Sequence, residues 1–297
     1  MSRFLANLRS FPSSTLLSVS SGAIAWLQTK SSGISSWHHI AWEADTPGVN
    51  AIIAIKSVRA QLPSSPPSVT VVLTPSVAQH WLQTSPAQTA SLAELHAIAR
   101  SRASVLFGQT ANIDWDISAD WQAQQAFLCT GVPTHWNKAL LSLGVVHHKL
   151  KITSPLTLIL TQFEKSLPTH GWLAIVAVGV LNLMQYHEGR MTSLRTVRLP
   201  RHTSSEGYEV IALAEWRREK LRVQSSATQL SWLNLMPHGE RPVHSTELIT
   251  IPWTPRVEIP ALPASFSGEA IDAHLGAERE ALLAAWCGHQ CQKGLSK

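Results

Sequence analysis

The sequence predicts an α/β fold in two lobes, each a mixed sheet flanked by helices, on the strength of three observations. A β-meander or hairpin followed by helix, strand and helix opens the chain, and the same order returns about half a chain later. Ser68 to Leu73 is a continuous apolar run between Pro66-Pro67 and Pro75, the pattern of a central strand buried on both faces. A hydrophobic share of 44% against 14% charged residues is too apolar for a disordered chain, so these runs must pack on one another.

Along the chain, Thr15 to Leu27 is rich in β-branched and aliphatic residues and breaks at Gly22. Ser36 to Glu43 alternates Trp37, His39 and Ala41 with His38, Ile40 and Trp42, so the two stretches read as a meander. Thr46 and Pro47 offer a cap and a first-turn proline for a helix striped by Val49, Ile52, Ile53, Val58 and Leu62. Beyond the Ser68 to Leu73 strand, Ser91 and Glu94 form a capping box for a helix carrying Leu92, Leu95, Ala99, Arg102 and Leu106. Asp114, Asp116 and Asp120 then read as loop and cap residues, since no EF-hand glycine or terminal glutamate accompanies them. Residues 1–120 make the first lobe and 121–297 the second.

The second lobe begins with a strand from Gln125 to Thr130, a helix from Thr134 to Leu143 stopped at Gly144, and a strand from His147 to Thr153. Ser154 and Pro155 start a helix bearing Leu156, Ile159, Leu160 and Phe163. Trp172 to Tyr186 and Met191 to Leu199 are strands turned at His187-Glu188-Gly189-Arg190. A helix from Tyr208 to Val223 lines one side with Val210, Leu213, Ala214, Arg217 and Leu221, leaving Trp216 partly exposed. Short extended pieces at Trp232 to Met236, Leu248 to Ile251 and Arg256 to Ile259 precede an amphipathic helix from Glu269 to Trp286.

Several function classes are disfavoured. The net charge of +5 is scattered apart from Arg190 to Arg201 and Arg217 to Arg222, and neither run interleaves the aromatics that stack bases, so no stable nucleic-acid partner is expected. Three cysteines are too few to staple a chain of this length and suit a reducing compartment. Cys287, His289 and Cys291 lack the further close pair a tetrahedral metal site needs. Arg3 and Arg9 before the run Leu16 to Leu27, with Ala23-Ile24-Ala25, imitate a secretion signal, but serines dilute the run and it alternates like a strand. Trp172 to Met184 is shorter than the roughly 20 residues that span a bilayer, so no transmembrane segment is expected. There is no Gly-x-Ser-x-Gly elbow, Walker loop, His-Glu-x-x-His or Rossmann fingerprint. The 14 histidines keep an unrecognised α/β enzyme open as an alternative, and the basic segments keep open a nucleic-acid-associated accessory protein.

The stretch Phe127 to Pro200, with its helix ending in Leu143-Gly144, its helix start at Ser154-Pro155 and its hairpin tip His187-Glu188-Gly189-Arg190, resembles the second lobe of the PilM pilus-assembly proteins and of the cytoplasmic domain of type II secretion L subunits. Both look like actin-like proteins, PilM resembling the ATP binders and the secretion L domain a scaffold. The resemblance implies a two-lobed actin-like (RNase-H-like) fold, with Arg195 or Arg198 as the arginine that follows the hairpin tip.

In actin-like ATPases two hairpins each carry an Asp-x-Gly turn, whose amides cradle phosphate and whose carboxylate organises Mg²⁺. The matching positions here are Ser20 and Gly22 in the first hairpin and Ala177 or Gly179 in the second, with Gly239 in Met236-Pro237-His238-Gly239 on the adenosine side. None is a carboxylate. The chain therefore departs from PilM and sides with the secretion L domain, a likeness that implies a non-catalytic scaffold without a cofactor, at most binding ATP weakly through turn amides. Its partner would be a pilus or secretion platform protein of the inner membrane, met from the cytoplasmic side. The partner's segment would dock on about Pro75 to Trp121, with Leu92, Leu95, Leu106 and Phe107 as apolar contacts.

Overall fold

The computed structural model describes residues 15–29, 35–42, 49–61, 68–85, 91–107, 114–121, 125–145, 149–200, 205–236, 245–251 and 276–293. Strands β1 (Thr15–Val19), β2 (Ala23–Thr29) and β3 (Ser35–Ala41) form the antiparallel meander. Helix α1 (Val49–Gln61) crosses back to β4 (Val69–Leu73), which lies parallel to β1. An insert follows: β5 (Gln79–Thr84), α2 (Leu92–Phe107), β6 (Trp115–Ala119) and β7 (Ala126–Pro133), its three strands antiparallel in the order β5-β7-β6. The chain then forms α3 (Thr134–Leu141) and β8 (Leu150–Thr153), the latter parallel to β4. Beyond it lie α4 (Pro155–Gln162), β9 (Gly171–Ala177), β10 (Val180–His187), β11 (Arg190–Arg198), α5 (Ser205–Arg222), β12 (Leu230–Asn234), β13 (Leu248–Thr250) and α6 (Gly276–Lys293).

The two large sheets share one topology. The first runs β3-β2-β1-β4-β8 and the second β11-β10-β9-β12-β13, each a meander extended by two parallel strands. Alternation along the strands splits the first sheet's packing: Leu17, Val19, Val69 and Val71 face α1 and α3, whereas Leu16 and Val72 face α6. Helices α4 and α6 pack on each other, and their buried residues join the second sheet's in one core. The insert has its own small core of Trp81, Leu95, Ala99, Trp115 and Phe127.

Four sequence readings need correction. First, β7 and β8 belong with the first half and α6 packs back on β1 and β2, so strand pairing does not change over at 120/121. Apolar runs announce strands but not their partners, and a long insert between β4 and β8 conceals that these two pair. Second, Trp172 to Tyr186 is two strands, because Val178 (φ 53°) and Gly179 (φ 70°) make a tight turn inside the apolar run. Third, α1 buries Ala51, Ala54, Ile55 and Val58 and leaves Val49 and Ile53 exposed. Small alanines let the helix approach the sheet closely, and a stripe drawn only through large residues misses them. Fourth, α5 buries Ala212 and Trp216 and exposes Val210 and Leu221, so that of the expected apolar stripe Leu213 is buried while its two ends face outward. Local caps hold as read. The Ser91 hydroxyl accepts from Glu94 N while Glu94 accepts from Ser91 N, and the Ser154 hydroxyl accepts from Thr157 N with Pro155 at the first helical position. Thr46-Pro47 and Arg256 to Ile259 lie outside the described residues.

Candidate functional site

The first hairpin turn is closed by its own hydrogen bonds. Ser20 is fully buried, and its hydroxyl accepts from Ala23 N at 3.0 Å and donates to Ala23 O at 3.2 Å. Ser20 N donates to Ala23 O at 2.8 Å, and Ser21 N donates to the Ser76 hydroxyl at 3.0 Å. Gly22 O accepts from Trp42 N at 2.9 Å. The amides of Ser20, Ser21 and Ala23 are thus already spent inside the chain, whereas a phosphate cradle leaves such N–H groups pointing at the ligand.

A carboxylate does stand beside this turn, supplied by α6. Glu280 Oε1 accepts from Ser76 N at 2.8 Å, and the Ser76 hydroxyl lies 2.9 Å from that of Thr74. Nearby, His39 Nε2 is 3.1 Å from Glu278 Oε2. Sequence reasoning missed Glu280, because a residue from the far end of the chain that bonds a backbone amide leaves no spacing signal.

The second turn joins β9 to β10 through Val178 and Gly179, and Leu199 N donates to Gly179 O at 2.9 Å. Val178 is a β-branched residue at positive φ, a conformation that burial at 4% exposure must hold in place. Neither turn carries a carboxylate of its own. Gly239 lies outside the described residues.

Ala177 forms part of the wall of a cleft of about 270 Å³ between the insert and the β10–β11 hairpin. Leu106 and Phe107 line the same cleft from the end of α2. The other two expected contacts lie elsewhere: Leu95 is buried in the insert's core and Leu92 is exposed at the start of α2. Ser20, Gly22 and Gly179 do not line the cleft. His80 does, with Nδ1 at 3.0 Å from the Thr130 hydroxyl. Burial pushes its pKa down to about 4, against an opposing hydrogen bond with the Cys129 backbone, so the ring is neutral at neutral pH.

The hairpin arginines part ways. Arg195 turns to α5, pairing with Glu215 at 2.9 Å and Glu219 at 3.4 Å, while Arg198 lines the cleft. A second cavity, of about 210 Å³, lies among the ends of β4 and β8, the insert and α4, where Asn137 Nδ2 donates to Asp116 Oδ2 at 2.7 Å. Cys287 and Cys291 are buried one turn apart on α6, and their mutual hydrogen bond with burial holds the Cys291 thiol well above its ordinary pKa. Among the described residues no group of three or more His, Cys, Asp or Glu could hold a metal, and no helix is long and apolar enough to cross a membrane.

No protein-family model matches the chain, and no curated protein matches it. Solved structures do. A PilM–PilN type IV pilus biogenesis complex contains a chain 12% identical, with a TM-score of 0.51, covering 96% of this chain and 99% of that one. The cytoplasmic domain of EpsL, an inner membrane component of the type II secretion system of Vibrio cholerae, is 14% identical at a TM-score of 0.44, covering 81% and 90%. A Bacteroides thetaiotaomicron protein with an actin-like ATPase fold is 9% identical at a TM-score of 0.43, covering 79% and 84%. The fold of this chain is the two-lobed actin-like fold, its doubled sheet topology extending nearly end to end over the pilus-complex chain.

Proposed function

We propose that this protein is a non-catalytic actin-like scaffold of a pilus or secretion assembly platform, peripheral to the inner membrane, which binds a cytoplasmic segment of a membrane partner. One observation carries the proposal: the first hairpin turn has serine where an ATPase needs a carboxylate, and its amides are satisfied by Ala23 O, the Ser20 hydroxyl and the Ser76 hydroxyl. A neutral turn already closed on itself has little to offer a Mg-nucleotide. The actin-like plan then serves as a rigid frame for protein contact, as the likeness to a chain of the PilM–PilN complex suggests.

The expected result with purified protein and Mg-ATP is no phosphate release above the buffer blank. Turnover that disappears when a residue lining the cleft between the insert and the β10–β11 hairpin is replaced would overturn the non-catalytic reading. The partner half is tested by co-purification. Cytoplasmic segments of inner-membrane proteins encoded beside this chain should include one that is retained on it.

A further inference from the structure

We propose that the cleft between the insert and the β10–β11 hairpin is the docking site for an acidic, apolar peptide segment, with a side-chain carboxylate held by Arg198 and a neighbouring large apolar side chain held by Leu106, Phe107 and Ile159. This rests on the scaffold reading and names the chemistry of its partner.

Side chains alternate between the two faces of β10 and β11. Val180 pairs with Arg198 and Asn182 with Thr196, so these side chains, with Leu194, share the face turned to the cleft. Arg195 takes the opposite face, where Glu215 and Glu219 of α5 receive it. Among the described residues Arg198 makes no ion pair, and no Asp or Glu lines the cleft. With His80 neutral, the cleft wall carries one uncompensated positive charge at neutral pH.

Beside that charge, Asn182 is 3% exposed, and its Oδ1 accepts from the Thr196 hydroxyl at 2.8 Å. Its amide N–H groups are left as donors on the cleft face. The opposite wall sets Leu106 and Phe107 beside Gln79 and His80, and its aromatic part is fixed: the Phe107 ring lies 5.7 Å from that of Trp81 and 5.6 Å from that of Trp115. Donors and a guanidinium on one wall and aromatic and aliphatic carbon on the other complement a carboxylate flanked by hydrocarbon. A cleft of about 270 Å³ has room for one large side chain and its acidic neighbour, while the rest of a segment would run along the surface.

The test is calorimetric titration of the full chain with acetyl-Gly-Asp-Leu-Phe-Gly amide, its Asn-for-Asp counterpart, and free 3-phenylpropionate. The Asp peptide should bind at least about tenfold tighter than the Asn peptide, a preference that Arg198→Gln should abolish. Leu106→Glu, at a half-exposed rim position, should weaken the Asp peptide by about tenfold. Equal binding of the two peptides, no binding of either at about 1 mM, or a preference that survives Arg198→Gln overturns the proposal. Binding of phenylpropionate as tight as the Asp peptide overturns the peptide assignment in favour of a free carboxylate. A platform segment retained equally by wild type and Arg198→Gln would sink the cleft assignment while leaving the scaffold standing. Failure of every platform segment alongside an intact Asp preference would do the reverse.

Discussion

Replacing Trp216 by alanine is expected to cost about 3–5 kcal/mol of folding stability, read from the shift in a urea unfolding midpoint. Trp216 is fully buried on α5 within the core that α4 and α6 share with the second sheet. Its indole N–H has no partner among the described residues, so truncation orphans no hydrogen-bonding group, and the loss is one of packing and a large cavity. Leu221, on the same helix, is 81% exposed, and its replacement by alanine should stay within about 0.5 kcal/mol. The expected apolar stripe ranks these two residues the other way round, so the pair of variants discriminates between the two orientations of α5. Comparable effects from both would mean that the helix is rotated away from burying Trp216.

Gly288→Val is expected to destabilise by about 3 kcal/mol and to loosen the first hairpin turn. A Cβ at Gly288 would lie 2.8 Å from Leu16 Cδ1 and 3.1 Å from Val72 Cγ2, in a position where α6 meets the first sheet directly. Leu16 and Val72 are buried and packed, so they have little room to give way. Valine adds β-branched bulk to that crowding and is a poor helix former. Because the same helix brings Glu280 to Ser76, lifting it should withdraw the carboxylate from the turn region. Hydrogen exchange should then quicken at β1 and β4 as well as in α6. Gly288→Ala should cost less, since alanine's helix preference of about 1 kcal/mol offsets part of the overpacking. Unchanged stability in the valine variant would show that α6 does not seat against Leu16 and Val72.

What could be read from the sequence is what local chemistry governs. The meander, the Ser91 capping box, the Ser154-Pro155 helix start, the Gly144 stop and the Glu188-Gly189 turn each depend on residues within a few positions of one another. The doubled element order also survived into two sheets of identical topology. Harder to see was anything set by distant partners. The pairing of β8 with β4 depends on an intervening insert, and the turn at Val178 hides in an apolar run because valine seldom adopts positive φ. At the site, Ser20, Ala177, Leu106 and Phe107 could be singled out by position, yet the structure gathers only the last three into one cleft. The contributions of Glu280, Asn182 and Arg198 depend on which face or which loop each one meets, and side-chain type alone says nothing of that.

The most direct test of the scaffold account is calorimetric titration of the full chain with the cytoplasmic segments of inner-membrane proteins encoded beside it, with and without Mg-ATP. The account predicts saturable one-to-one binding of one such segment, with Kd of about 1 μM or tighter, unchanged by the nucleotide. No saturable heat from any segment, with the chain shown to be folded, would contradict it, as would binding that appears only while ATP is being hydrolysed.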